Sequence, residues 1–223
     1  MAKQYFSYVP NFEYVDRTSK GQNISDYTKV KNLFKRAKIR SDILGDISFF
    51  TKYQIIGDER PDNVAQKVYG DSNLDWLVML CNNIVHFENE WPMSQESFDN
   101  YLLDKYGSYE ALYSTRYYIT GEIKNSQNII IVPQGVIVPS DYSVTFYDEG
   151  LGQTITRSSV YPVSNYEYEN GLQDKKRNIF LIKPFYIALI IDDLETVMPY
   201  GKGSTQYVAP GLVRGENIRL FQG

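Results

Sequence analysis

Residue types that build common catalytic and metal-binding sites are scarce in this 223-residue chain, which contains one cysteine and one histidine. The single cysteine, Cys81, leaves no partner for an internal disulfide. A zinc site built on histidine and cysteine needs three or four ligands, whereas the chain offers only His86 and Cys81. Any Ser-His or Cys-His pair would have to use the same His86. The sequence therefore predicts no metal, no cofactor and no enzymatic activity.

The chain also lacks an excess of positive charge, with 23 lysines and arginines against 27 aspartates and glutamates. It has no broad positive field that would attract phosphate backbones. The N-terminus has no apolar signal core, and the most apolar stretch, residues 185–191, is much shorter than the roughly 20 residues that cross a bilayer. We therefore expect no nucleic-acid partner and no membrane partner. The single cysteine agrees with assembly in a reducing cytoplasm.

Aromatic residues, in contrast, are abundant, with 20 tyrosines and 11 phenylalanines in a chain that is 43% apolar. This apolar content is ample for a packed core. Tyrosine combines a rigid apolar ring with a polar tip, which suits surfaces that bury against other proteins, although it also fills β-rich cores. Composition thus favours an interaction protein only slightly.

The residue pattern predicts an α+β fold in five segments. Residues 1–24 form an extended N-terminal arm, 25–118 a helical region, 119–177 a β-rich region, 178–200 a strand and a C-terminal helix, and 201–223 an irregular tail. Apolar residues at helical spacing predict an amphipathic helix over residues 26–40, with its lysines and arginines facing solvent. In the β-rich region, prolines and glycines separate short β-branched runs, which predicts hairpins. Its polar, tyrosine-rich part, residues 161–174, is predicted to be a loop.

Residues 49–91 carry the most specific local pattern. A β-rich run ends in a Gly-Asp turn, and a helix then opens at a proline, where that residue is well tolerated. A Gly-Asp break separates it from a second helix that ends in Asn-Asn. This β-α-α pattern resembles a LysM module, with flanking helices. The residues that carry the resemblance, and that form our candidate protein interface, are Tyr53, Gly57, Asp58, Pro61, Tyr69, Gly70, Asn73, Leu74, Trp76, Asn82, Asn83, Trp91 and Pro92. The closing strand of the module is expected near Trp91-Pro92-Met93.

A longer pattern extends the resemblance over most of residues 1–112 and 178–200. It comprises the opening Tyr-Phe-x-x-x-Pro-x-x-Glu-Tyr of residues 5–14, the Arg-Pro-Asp step at 60–62, and the run from Tyr69 to Trp76. Asn-Asn-Ile at 82–84 and Lys-Pro-Phe-Tyr at 183–186 complete it. Together these motifs resemble the small LysM-containing baseplate wedge subunits of T-even-type contractile-tailed phages.

The resemblance implies a structural protein of the virion tail baseplate that is assembled in the host bacterial cytoplasm. Members of this family join the wedge late, before or alongside the sheath-initiating subunit. They lie near the central hub and help to tie neighbouring wedges into a six-fold ring. The implied partners are therefore other wedge subunits, the sheath-initiating subunit and the hub, with six copies or a multiple per baseplate. The LysM-like module of the family acts as a protein-binding unit.

A second interpretation remains open at this stage, namely a peptidoglycan- or chitin-binding module of a lytic or wall-targeting protein. Trp91 beside Pro92 is the residue that a sugar ring could stack on. For Trp91 and Trp76 alike, burial in a core or a protein interface is the more common role of so large a ring. The exposure of the two indoles discriminates between the interpretations.

Both ends of the chain are predicted to dock on partners. The N-terminal arm is too short for a core of its own, and its apolar residues must be buried on this chain or on another. We expect both ends to be mobile in the free subunit, because burial of a few side chains barely offsets the entropy of ordering the backbone. The residues proposed for docking are Tyr5, Phe6, Phe12, Tyr14, Tyr207, Leu220 and Phe221.

Overall fold

A computed structural model describes residues 4–15, 27–203 and 206–215, which divide into two compact units. The first unit spans Met1–Trp91 and Asn178–Gly223, and the second spans Pro92–Arg177. The mixture of helices and strands confirms the predicted α+β class. No helix within the described ranges is long and apolar enough to cross a membrane.

The described residues form nine helices and thirteen strands. The helices are α1 (Tyr5–Tyr8), α2 (Ser41–Leu44), α3 (Pro61–Tyr69), α4 (Asp75–Cys81), α5 (Phe87–Glu90), α6 (Gln95–Tyr106), α7 (Tyr109–Tyr113), α8 (Asn165–Lys176) and α9 (Ile187–Val197). The strands are β1 (Asn11–Tyr14), β2 (Thr28–Lys31), β3 (Phe50–Gln54), β4 (Thr115–Thr120), β5 (Ile123–Lys124), β6 (Ile130–Val132), β7 (Ile137–Val138), β8 (Val144–Asp148), β9 (Gln153–Arg157), β10 (Val160–Ser164), β11 (Asn178–Ile182), β12 (Tyr207–Ala209) and β13 (Leu212–Arg214).

The core of the first unit is a strand-helix-helix-strand arrangement. Strand β3 leads into α3 and α4, and β3 pairs antiparallel with β11, so that Phe50 lies opposite Ile182. Helix α4 packs on β11. The closing strand thus follows only after the whole second unit, and the expectation that it lies near residues 91–93 is wrong. The expectation assumed that the closing strand lies close to the helices in sequence, whereas strand pairing depends on the fold and not on distance along the chain.

The two helices begin and end where the sequence predicts. Pro61 occupies the first turn of α3, where its missing N–H costs no hydrogen bond. Gly70 ends that helix with φ +76°, a left-handed conformation that glycine adopts without a Cβ clash, and its N–H donates to the Gln66 carbonyl. The side chain of Asp71 then accepts from the Asn73 N–H and starts the 3-10 turn Ser72–Leu74 ahead of α4.

The two ends of the chain form one sheet, with strand order β12-β13-β1-β2. Strand β1 pairs parallel with β13 and antiparallel with β2. The prediction of an irregular tail is therefore wrong for residues 207–214, and the arm is partly a strand instead of wholly extended and unpaired. Neither end shows a strand pattern by itself. Strands β1 and β13 obtain backbone hydrogen bonds from each other, and this pairing is not visible in either segment alone. Leu220 and Phe221 lie outside the described residues.

The amphipathic helix predicted over residues 26–40 is also wrong within the described part of that range. Residues 28–31 form β2, and a turn and an extended stretch follow to residue 40. The predicted apolar face is split: Ala37 is buried, whereas Leu33 is 71% exposed and Phe34 fully exposed. Pairing of β2 with β1 supplies the backbone hydrogen bonds that the helix would have made.

The second unit combines helices α6 and α7 with the sheet β10-β4-β7 and the hairpin β8–β9. Helix α6 starts at the Ser94 cap and stops at Gly107, within the region predicted to be helical. Residues 161–174 are not a loop, because they continue β10 and enter α8 through a capping box of Ser164 and Glu167. The buried face of α8 carries Glu169 and Gln173, so no apolar periodicity marks it as a helix.

Candidate protein-interaction surface

Trp76 lies in the core of the first unit, with 5% of its surface exposed. The rings of Tyr5 and Tyr8 pack against it, with centroids 6.0 and 5.8 Å from that of the indole. The Tyr5 hydroxyl accepts a hydrogen bond of 3.0 Å from the Ala37 N–H. The start of the N-terminal arm therefore docks on this chain, which resolves the alternative left open by the sequence. Tyr5 therefore contacts this chain, and its docking on a partner stays a prediction.

Trp91 is also buried, with 3% exposure. Its Nε1–H donates to the Glu59 carbonyl at 2.9 Å, and its ring stacks on Phe87 at 6.1 Å between centroids. The chain itself thus covers this indole and satisfies its polar edge. Trp91 is not available to stack on a sugar.

A polar cluster around Glu59 fixes the turn between β3 and α3, and sequence reasoning missed it. The carboxylate accepts from the Tyr53 hydroxyl at 2.9 Å and the Ile56 N–H at 3.2 Å, and it pairs with Lys67. Burial raises the pKa of Glu59, but these partners outweigh it and leave the pKa below its usual value. Glu59 is therefore a structural anion that holds the turn at Gly57 and Asp58.

Two motif residues attach the closing strand to the helices. The Asn82 side chain donates to the Phe180 carbonyl at 2.9 Å and accepts from the Phe180 N–H at 2.8 Å, so it pairs with β11 as a strand backbone would. The Tyr69 hydroxyl donates to the Ile182 carbonyl at 3.1 Å, and burial raises the Tyr69 pKa. Tyr69 and Asn82 are therefore both placed in the sequence where they can form hydrogen bonds with the backbone of β11.

The remaining motif residues are structural as well. Pro61 and Leu74 are buried, Asn83 adopts a left-handed φ of 53° after α4, and Pro92, also buried, begins the second unit. Cys81 is buried, which raises the pKa of its thiol to about 12, and His86 is exposed. Most motif residues thus build the strand-helix-helix-strand core, whereas Gly57, Asp58, Gly70 and Asn83 are exposed at its surface.

In the first unit, the most exposed large apolar side chain among the described residues is Phe34. Its turn is held from both sides, because the Asn32 side chain donates to the Tyr200 hydroxyl at 2.7 Å and Lys35 donates to the Pro199 carbonyl at 2.8 Å. The adjacent Leu33 is 71% exposed. We call this feature the Leu33–Phe34 turn. A fixed turn that presents bare aromatic surface is typical of a protein contact site.

The second unit has its own exposed apolar surface, on the sheet β10-β4-β7. Ile119 lies opposite Ile137 on one side and Tyr161 on the other. Directly opposed residues of antiparallel strands project from the same face. Ile137 is 68% exposed and Tyr161 57% exposed. We call these three residues the Ile119 row.

The positions of these surfaces were not predicted, because the helical interpretation of residues 26–40 had placed Leu33 and Phe34 in the core. Of the proposed docking ends, Phe6 is 57% and Tyr14 37% exposed, whereas Phe12 and Tyr207 are half-buried in strands. Within the described ranges, no three His, Cys, Asp or Glu side chains group as metal ligands. The chemistry of both surfaces is that of apolar contact.

Comparison with known proteins agrees with the family suggested by the motifs. A family model described as Base plate wedge protein 53 matches residues 4–196. Baseplate wedge protein gp53 of Enterobacteria phage T4 is 24% identical to the chain over 163 residues, which covers 68% of this chain and 75% of that protein. The matched range includes the strand-helix-helix-strand core and the whole second unit.

Proposed function

Since the chain belongs to the Base plate wedge protein 53 family and is a structural component of the phage tail baseplate, we propose that it works there as a bridge without catalytic activity. Each of its two units docks on a different neighbouring protein. The observation that carries this proposal is that each unit exposes an apolar surface of its own, the Leu33–Phe34 turn in one and the Ile119 row in the other.

We propose that the bridged proteins are other wedge subunits, the sheath-initiating subunit and the central hub. Such contacts would join adjacent wedges into a ring with six copies of the chain or a multiple. In this proposal the strand-helix-helix-strand core is a LysM-like module whose role is to bind protein. The burial of Trp91 and its hydrogen bond to Glu59 support that role over glycan binding.

Assembly of baseplates from wedge subunits with Phe34→Ser and Ile137→Ser, singly and together, tests the bridge. Both side chains are exposed, so each substitution should change the stability of the free subunit by no more than about 0.5 kcal/mol. Each single variant should lower the yield of closed rings, and the double variant should abolish it. Lys52→Ser and Thr145→Ser, at exposed polar positions of the two units, are the matched controls. Normal rings from the double variant would refute the bridge.

The glycan alternative has a separate test. Titration of the full chain with chitin or peptidoglycan oligomers should show no saturable binding below millimolar concentration, which corresponds to a binding free energy weaker than about −4 kcal/mol. Indole fluorescence reports on both tryptophans and serves as the readout. A micromolar isotherm would replace the protein-binding role of the module.

A further inference from the structure

A cleft of about 290 Å³ opens in the first unit between the N-terminal arm, the Leu33–Phe34 turn and the end of α4. Most of its lining is apolar, including Phe6, Leu33, Leu80 and Val85. It is large enough for a bulky side chain with its flanking backbone, and Phe6, Leu33 and Val85 are each more than half exposed. Burial of this surface by another protein would remove apolar area from water.

Trp76 forms part of the cleft wall, and it also carries a hydrogen-bond donor that is unused within the described residues. The donor is its buried Nε1–H. The other tryptophan of the chain, Trp91, has an acceptor in the Glu59 carbonyl. A buried N–H that lacks an acceptor costs about 1–3 kcal/mol, so an oxygen that reached this N–H from the cleft, after a rearrangement of the wall, would recover a lost interaction.

The charges at the cleft have one sign. Lys35 and Arg36 line it, and none of its lining residues is acidic. Lys35 donates to the Pro199 carbonyl and Arg36 lies 3.4 Å from the Asn83 side-chain oxygen, so neither contact neutralises a charge. Outside the lining, the Glu90 carboxylate accepts from the N–H groups of Val85 and His86, and Arg36 is one of the causes that lower its pKa. Lys35 and Arg36 outnumber this one carboxylate, so the surroundings of the cleft keep a net positive charge. The cleft therefore favours an anionic occupant.

We propose that this cleft binds a segment of another baseplate protein in which an apolar side chain adjoins a carboxylate. The apolar side chain fills the cleft, an oxygen of the segment accepts from the Trp76 Nε1–H, and the carboxylate pairs with Arg36. The inference rests on the proposed bridging function and specifies the chemistry that one of its docking surfaces recognises.

Two indole N–H signals in the ¹H–¹⁵N spectrum of the full chain provide the test. The probe is a set of short overlapping peptides that cover the other baseplate proteins of the same phage. Peptides that bind should contain Asp or Glu beside a large apolar residue, and they should shift the Trp76 signal while leaving that of Trp91 in place. Versions with Asn or Gln in place of the acid should bind more weakly.

Charge reversal at the rim supplies the second measurement. Arg36→Glu should weaken binding of such a peptide about tenfold or more, because it turns an attraction into a repulsion. Lys52→Glu reverses a cation on β3, outside the cleft, and should leave the affinity within about twofold by the same argument. The inference is overturned if no peptide binds, if binding leaves the Trp76 signal unchanged, or if both variants bind equally.

The result is separable from the test of the bridge. If Phe34→Ser and Ile137→Ser block ring closure while no peptide moves the Trp76 signal, the cleft inference fails and the bridge remains. If neither substitution affects ring closure, the bridge fails, and peptide binding at the cleft would then be unrelated to assembly.

Discussion

The two units of this chain have interiors of different chemistry. The first is built around one large apolar cluster that includes Trp76, Leu77 and Ile182. The corresponding cluster of the second consists of Phe98, Leu102 and Leu112. The buried polar side chains of the described residues, Thr120, Asp148, Glu169 and Gln173, all belong to the second unit. The comparison teaches that apolar burial stabilises one unit, whereas specific hydrogen bonds hold much of the other.

The polar groups of the second unit join segments that are distant in sequence. Glu169 on α8 accepts from Lys105 at 2.8 Å and from the Tyr106 hydroxyl at 2.9 Å, both on α6. Asp148, at the end of β8, accepts from the N–H and the hydroxyl of Ser126. Buried polar groups of this kind fix one arrangement, because any other leaves them without partners.

Trp76→Ala is expected to cause the largest loss of stability, and it tests whether apolar burial stabilises the first unit. Removal of a buried indole should lower the free energy of unfolding of the first unit by about 3–5 kcal/mol. Hydrogen exchange resolved by residue should show the loss in α3, α4 and β11, with the second unit unchanged. Trp76→Phe is the matched control and should lose less. An unchanged thermal midpoint for Trp76→Ala would place the indole outside the core.

An intermediate effect is expected from Glu169→Ala in the second unit. The substitution removes two hydrogen bonds to a buried carboxylate, which should cost about 1–3 kcal/mol. Glu122→Ala is the control, because Glu122 and Lys124 form a surface pair with both side chains about 40% exposed, and such pairs contribute about 0–1 kcal/mol. Chemical denaturation followed by tyrosine fluorescence measures both. Equal losses would mean that buried polar groups do not distinguish this unit.

The smallest effect is expected from protonation of Asp148, which should change only its surroundings and only at acidic pH. The hydrogen bond from the Ser126 hydroxyl is the main reason that the Asp148 pKa is lowered, and burial acts in the opposite direction. A lowered pKa means that the ionised carboxylate stabilises the folded state above its ordinary value of 3.8, and that this contribution is lost as the pH falls through the lower folded value. Amide shifts of Ser126 and Gly150 should titrate there in the wild type and not in Asp148→Asn. Titration in both proteins would assign the effect to another group.

The same difference explains how much of the fold the sequence predicts. Helices α3, α4 and α6 have apolar faces and end at a glycine or an asparagine, and each lies in a region that was predicted to be helical. Helix α8 buries Glu169 and Gln173. Because the residues on its buried face are polar, the sequence shows no apolar periodicity there. Apolar periodicity reports only on elements that bury apolar side chains.

Contacts distant in sequence account for the other errors. Strand β2 was taken for a helix because its pairing partner β1 was not recognisable. Strand β13 was taken for part of an irregular tail because its pairing also depends on β1. The closing strand β11 was recognised as a strand, but its place beside β3 was not. For the site, both indoles were correctly assigned to burial. The exposed surfaces were missed because exposure depends on the tertiary arrangement.

The central claim, that each unit docks on a neighbour, is tested most directly by hydroxyl-radical footprinting of side chains in the free subunit and in assembled baseplates. In the free subunit, Phe34, Ile137 and Tyr161 should be modified readily, as their exposure requires. On assembly, Phe34 in the first unit and both residues of the second should lose most of their reactivity. Retention of full reactivity at either surface in closed baseplates would contradict the account.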